Sequence, residues 1–272
     1  MRAPLAAFAT SKRRRPVRRQ LQPDSIRLFY FSRLRALMAE AHALVTEDLL
    51  PLVHELRPEH SDATAAARVR AAVHGIAARF ARNITPGKLA PLAAQVAQRT
   101  SDFQKAQLTA QFKDVLTVAP FIHDVGLATA AEAFTTENIA LIRTVPERYF
   151  AELADTVGSM IETGARAATI AAEIERRYEV SETNAARIAN DQVGKFFGDL
   201  NDTRQRALGL TQAVWATARD NRVRDAHRNL NGQVYKLGEG LVNPDTGERI
   251  LPGQDVNCRC QGLPDVDQLL DG

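Results

Sequence analysis

One histidine and two cysteines carry the most distinctive chemistry in this 272-residue chain: His227, Cys258 and Cys260. Thiolate and imidazole are the donors that a structural Zn²⁺ takes, so these three make candidate metal ligands. A closed tetrahedral site needs a fourth ligand, which Asp220 or Asp225 would have to supply, and one C-x-C pair is less specific than paired C-x-x-C motifs. The same residue types suit nucleophilic catalysis, with Cys258 attacking, His227 as base and Asp220 orienting the ring. The plainest alternative is a core histidine that makes a single hydrogen bond. Around it, Asp220, Arg222 and Arg224 precede His227 closely, and Asn257-Cys258-Arg259-Cys260 follows about thirty residues later. Arg222, Arg224 and Arg259 can pair with Asp220, Asp225 and Asp255 in a buried polar network, which fixes one conformation when every member is satisfied. The residues favour that structural network, including Asn257, with Trp215 packed in the core beside it.

No G-x-S-x-G, H-E-x-x-H, P-loop or G-x-G-x-x-G stands anywhere in the chain. No catalytic residue is therefore assigned, and a non-enzyme is expected. The two cysteines sit one residue apart, which excludes a disulfide scaffold and suits a reducing compartment. At 45% apolar and 25% charged residues the composition is that of a globular chain. No apolar run is long enough to cross a bilayer.

Positioning these residues falls to a mostly helical chain. Ile26, Phe29, Phe31, Leu34, Leu37, Met38, Ala41 and Leu44 recur at helical spacing, and Pro51 and Pro58 punctuate the segment after them. Ser61 or Asp62 can cap a second helix that Thr85-Pro86-Gly87 stops. Ser101 and Gln104 resemble a capping box opening a third helix, which fades before Pro120. A fourth is expected from about Val125 to Thr144, ending before Pro146. A fifth carries a stripe from Phe150 through Gly164 to Tyr178, and Ser181 caps a sixth, closed by Gly209. Past Gly209 the texture changes. Val214-Trp215-Ala216 and Gln233-Val234-Tyr235 are strand-like, Asp220 can cap a short helix, and Asn231-Gly232, Asn243–Gly247 and Pro252-Gly253 are turns. The expected fold is mainly α: a multi-helix N-terminal body followed by a small turn-rich α+β C-terminal domain. The expected divisions are a basic arm at 1–23, a helical body at 24–208 and the α+β domain at 209–272.

The net charge of +3 conceals an asymmetry. Seven of the 35 Lys and Arg residues fall within the first 23 positions, which hold no acid, so the remainder carries 28 basic against 32 acidic residues. Lys12, Arg13, Arg14, Arg15, Arg18 and Arg19 form an arm suited to phosphates or acidic protein surfaces. An Arg-rich, acid-free segment also has the composition of an organellar transit peptide, or of a solvated terminus with no fixed partner. A secretory signal is excluded, because the short apolar stretch Ala3–Ala9 precedes most of the charges.

The C-terminal residues resemble a known family. Trp215-Ala216-Thr217, Asp220-Asn221-Arg222-Val223-Arg224, His227, Leu230, Gly232, Pro252-Gly253 and Asn257-Cys258-Arg259-Cys260 are similar to the pattern W-x-T, D-x-R-V-R, H, L-x-G, P-G, N-C-R-C. That pattern belongs to the head-morphogenesis domain of tailed-phage minor head proteins, the family of phage Mu protein F. Upstream, Glu137–Arg143 with Pro146, Ala186–Gln192 and the arm leading into Phe29-Tyr30 look like the helical lead-in of such proteins, extending the resemblance over about residues 25–264. Asp225 departs from it, since many relatives have proline there. The resemblance implies a low-copy minor capsid protein near the portal vertex, acting in procapsid assembly, DNA packaging or delivery. It implies portal and major capsid or scaffold proteins as partners, packaged double-stranded DNA as a further one, no membrane, and residence in the virion head after assembly in the host cytoplasm. The other classes to weigh are a Cys/His-dependent hydrolase or other enzyme on the same scaffold, and a non-specific DNA-binding module that works through the arm.

Overall fold

The computed structural model describes residues 16–55, 63–116, 119–120, 122 and 126–266. Its order is α1 (Asp24–Glu55), α2 (Ala63–Ala81), α3 (Pro86–Leu116), α4 (Leu127–Glu162), α5 (Ala167–Ala207), β1 (Gln212–Ala216), α6 (Asp225–Leu230), β2 (Val234–Lys236), β3 (Leu241–Val242), β4 (Arg249–Ile250) and β5 (Gln261–Pro264). The chain is mainly α with short antiparallel strands near its C-terminal end, as the residue patterns predict. No helix among the described residues is long and apolar enough to cross a membrane.

Backbone contacts group the chain into two units. One unit gathers the described parts of Met1–Arg27, Ala94–Phe134 and Asn190–Gly272; the other gathers Leu28–Ala93 and Thr135–Ala189. The boundaries fall inside α1, α3, α4 and α5.

In the unit of Leu28–Ala93 and Thr135–Ala189, the buried positions of α1 are Tyr30, Leu34, Met38, Ala41, Val45, Leu49 and Val53. Their steps of three and four follow the helical period, and the burial of each large one stabilises by about 1.5–3 kcal/mol. Tyr30, in place of its neighbours Phe29 and Phe31, takes the interior position and donates its hydroxyl proton to Asn138 Oδ1 at 2.9 Å. Glu173 and Glu152 join a cluster of arginines: Arg176 Nε and Arg177 Nε donate to Glu173 at 2.7 and 2.8 Å, and Arg177 Nη1 and Arg148 Nε donate to Glu152 at 2.9 and 2.7 Å.

Several helix boundaries differ from those expected, each for a packing reason. Pro51 lies inside α1, and α4 runs through Pro146. An interior proline removes a hydrogen bond and costs about 3 kcal/mol. Around Pro146, Ile142, Val145, Tyr149, Phe150 and Leu153 form one unbroken buried stripe that outweighs this loss. The break comes instead at Gly164, whose φ of +72° glycine adopts without strain. Ser181 is likewise interior, in α5, and its hydroxyl donates to the Tyr178 carbonyl at 2.7 Å instead of capping a helix. Pro86 opens α3 at the first-turn position that proline favours, so Ser101 and Gln104 lie mid-helix and buried. Ser61 and Asp62 fall outside the described residues.

In the unit that holds the strands, β1 is central: β2 pairs with it antiparallel on one side and β5 on the other. β3 and β4 form a separate hairpin. Leu108, Phe112, Trp215, Leu230, Tyr235 and Leu237 belong to one core cluster that also takes in Cys258 and Cys260.

Candidate metal centre

Three local structures bring the chemistry-bearing residues together. Strand alternation turns Ala213 and Trp215 of β1 into the core, both fully buried, and sets Trp215 opposite Gly262 of β5. After β1 the chain passes through Asp220 and enters α6 at Asp225. Arg224 occupies the N-cap position in extended backbone without a side-chain cap, so Asp220 does not cap this helix. Its carboxylate instead accepts from the Arg222 backbone N–H at 3.1 Å. α6 buries Ala226, His227 and Leu230 on one face. The third structure is the turn before Cys258. Asn257 has a φ of +54°, a left-handed conformation that Asn tolerates better than most residues. Its N–H donates to Asp191 Oδ1 at 2.7 Å, and the Cys258 N–H donates to the Asp255 carbonyl at 2.9 Å.

These elements place His227 Nδ1 at 3.5 Å from Cys258 Sγ and 3.6 Å from Cys260 Sγ. The three donor atoms all lie within 4.8 Å of one another, and all three residues are buried. On the other side of the ring, His227 Nε2 meets Asp255 Oδ2 at 2.7 Å, and Asn243 Nδ2 donates to the same oxygen at 3.2 Å. An ionised carboxylate only accepts, so Nε2 carries a proton, and Nδ1 is the ring atom that faces the sulfurs. Trp215 packs edge-on to the imidazole with ring centroids 5.7 Å apart. Among the described residues its indole N–H has no hydrogen-bond partner of ordinary geometry, yet it favours the thiolate at Cys260.

The electrostatics follow from this crowding. The hydrogen bond with Cys260 pushes the Cys258 thiol down, aided by His227 and opposed by burial. Cys260, which supplies that proton, is pushed up by the same bond and by burial. The hydrogen bond with Cys258 raises His227, burial lowers it, and Asp255 raises it further. The two sulfurs and the imidazole thus shift one another's protonation, as the groups of a soft-metal site do.

Asp220 and Asp225, the expected partners of His227, are elsewhere. Arg259 grips Asp220 with two nitrogens, at 2.7 Å (Nη2 to Oδ1) and 2.6 Å (Nη1 to Oδ2), and this fork holds the Asp220 carboxyl below its ordinary range. The exposed Arg222 guanidinium lies 4.0 Å from Asp220, Asp225 pairs with Arg228, and Arg224 donates to the Val256 carbonyl at 2.7 Å. Asp255 takes the role that sequence reasoning assigned to Asp220. Its approach depends on the Pro252–Asn257 turn, which residue spacing does not encode. Pro252 itself is seated where a side chain at Gly198 would not fit, since a Cβ there would stand 2.7 Å from the Pro252 carbonyl oxygen.

Of the arm, Lys12, Arg13, Arg14 and Arg15 lie outside the described residues. Arg18 is exposed, whereas Arg19 is partly buried and donates from Nη2 to the Arg259 carbonyl at 3.0 Å. The next residue, Gln20, is 5% exposed and enters a buried amide network missed by the residue patterns. Its Nε2 donates to Asn201 Oδ1 at 2.8 Å and to Gln111 Oε1 at 3.1 Å; Gln104 Nε2 also donates to Asn201 Oδ1, at 3.1 Å. Asn201 Nδ2 and Gln205 Nε2 donate to the Gly262 carbonyl at 2.8 and 2.9 Å, and Arg204 Nη1 donates to Gln104 Oε1 at 2.7 Å. Polar residues recurring among apolar ones at helical spacing, Gln104 and Gln111 beside Leu108 and Phe112, were the signal available.

Residues 151–263 match the family model described as Phage Mu protein F like protein. The match includes Trp215, Asp220, Arg222, Arg224, His227 and the Asn257–Cys260 segment; it leaves out the arm and the lead-in before residue 151. A protein of Haemophilus influenzae, described as uncharacterized, is 30% identical over 135 residues, which is 50% of this chain and 29% of that protein. The chain thus spans under a third of that relative's length. No solved structure matches.

Proposed function

We propose, starting from the Mu protein F-like domain that residues 151–263 carry, that this protein is a phage minor head protein. It is a low-copy capsid component acting near the portal vertex in procapsid assembly and in DNA packaging or delivery. One observation carries this: the residues that match the family pattern are those that knit the domain together. Trp215 fills the core, Asp220 and Arg259 clasp two turns, and Asn257 bends the chain into the Cys/His cluster. Side chains used in this way build a rigid block whose surface can be presented to other proteins, as an assembly role requires. The partners are the portal protein and the major capsid or scaffold proteins, with the Lys12–Arg19 arm reaching packaged double-stranded DNA or an acidic partner surface. The protein resides in the virion head, after assembly in the host cytoplasm.

The test is co-assembly. The chain is expressed with a candidate portal and shell protein, particles are banded on a density gradient, and the head band is quantified by mass spectrometry. A few copies per head are expected; absence from the band overturns the proposal.

A Cys/His hydrolase has one observation in its favour, the alignment Cys258–His227–Asp255 in the order nucleophile, base and orienting acid. Against it, Cys258 is 6% exposed and belongs to the apolar core cluster, whereas a nucleophile needs a site for the atom it attacks.

A further inference from the structure

We propose that His227, Cys258 and Cys260 bind a zinc ion through Nδ1 and two thiolate sulfurs, with Asp255 as the residue that positions the imidazole. The proposal does not rest on the head-assembly reading. It begins from distance. A tetrahedral zinc with Zn–N near 2.05 Å and Zn–S near 2.3 Å sets its nitrogen and each sulfur about 3.6 Å apart. The two separations here are 3.5 and 3.6 Å.

Hydrogen bonding alone does not account for this arrangement. Nδ1 has one lone pair, or one proton, and it can serve a single sulfur well. Two sulfurs equidistant from the same nitrogen are the arrangement that a central ion produces. The surroundings agree. Asp255 holds Nε2 at 2.7 Å, the carboxylate–histidine contact that fixes the tautomer of metal-bound imidazoles and raises their basicity. Asn243 in turn donates to that carboxylate, which orients it. The fully buried Trp215 has an N–H without a hydrogen-bond partner among the described residues, and it acts on the Cys260 sulfur. A metal-bound thiolate is an acceptor for such a donor.

The donor set selects the metal. Two thiolates and one imidazole suit zinc and exclude magnesium and calcium, which take oxygen ligands. No fourth Cys, His, Asp or Glu joins the three among the described residues. The ion joins α6 to the Cys258–Cys260 segment, two pieces of chain separated by more than thirty positions, and its binding energy becomes folding energy for the short-stranded region around it.

The test uses the full chain, purified under reducing conditions without chelator and analysed by plasma mass spectrometry. About one zinc per chain is expected, together with a lower melting temperature once a strong chelator has removed it. Replacement by Co²⁺ is expected to give the visible spectrum of a tetrahedral thiolate-bound ion. Asp255→Asn should keep that spectrum but weaken zinc binding by about 10–100-fold, read by competition with a chromogenic chelator. The Cys258→Ser, Cys260→Ser double variant should bind none. Three results would each overturn the proposal: no metal bound even after incubation with Zn²⁺, zinc retained by the double variant, or an intact-mass and alkylation analysis that finds a Cys258–Cys260 disulfide. Should the double variant fail to fold, the chelator melt and the cobalt spectrum of the unmodified chain still decide the matter.

Discussion

Gln20 and Gln261, 241 positions apart, exchange two hydrogen bonds: the Gln20 N–H donates to Gln261 Oε1 at 3.0 Å, and Gln261 Nε2 returns one to the Gln20 carbonyl at 2.9 Å. The Gln261 side chain thereby acts as a strand of one residue, satisfying both backbone groups of a buried position. Truncating one partner of a buried pair costs more than the bond itself contributes, because the groups left behind stay dry and unmet. Gln261→Ala strands two backbone groups and is expected to lower stability by about 2–4 kcal/mol. Gln20→Ala keeps both backbone bonds and loses the donors to Asn201 and Gln111, so the expected loss is about 1–2 kcal/mol. Urea unfolding of both variants checks the order, and equal losses would refute this account of the network.

Gln20 and Arg19 bond within the folded unit, so removal of residues 1–23 would damage structure along with charge. Replacing Lys12, Arg13, Arg14 and Arg15 by glutamine removes four charges and leaves Arg19 and Gln20 in place. That variant should melt as the parent does but bind double-stranded DNA more weakly. The slope of log affinity against log salt should shrink by about 3–4, at close to 0.9 per phosphate contact. An unchanged slope would separate the arm from DNA.

Acid stability is expected to depend on Glu173. Hydrogen bonds from Arg176 first, and from Arg177, hold its carboxyl at about 2, against an ordinary 4.5, although partial burial works the other way. A carboxyl with a lowered folded-state value adds stability that is complete above its ordinary value. This stability fades as the pH falls from 4.5 towards 2. Glu173→Gln should therefore melt below the parent at pH 7, and the gap should close across that window. A gap independent of pH would point to packing and not charge. Solvent screening keeps the effect small, since these side chains lie near the surface.

The helical character of the chain was legible because apolar residues recur at steps of three and four over long stretches. Helix ends were less so. Pro146 and Ser181 carry local signals for termination, and burial of the stripe from Ile142 to Leu153, or of Ala185 and Ala189, overrides them. Gly164 was read as part of a stripe when it is the break, since a glycine in a helical pattern continues or ends the helix according to the packing on either side of it. In the site, His227, Cys258 and Cys260 were legible by residue type. Asp255 was not, because a turn brings it to the ring. β5 was hidden for another reason: Gln-Gly-Leu-Pro holds no β-branched residue, and it is a strand through its pairing with β1. Gln20 was masked by its setting, one amide at the end of a run of cations.

The two glutamines also set a schedule. A ribosome that has just released Gln20 must add 241 further residues before its partner exists, on the order of 10–50 s at about 5–20 residues per second. Until then β1 lacks β5, Asn201 and Gln205 lack the Gly262 carbonyl, and both backbone groups of Gln20 are left to water. The segments Leu28–Ala93 and Thr135–Ala189, which make up the other unit, leave the ribosome earlier. The nascent chain therefore leaves the region around Cys258 and Cys260 unfinished until Gln261 has been added.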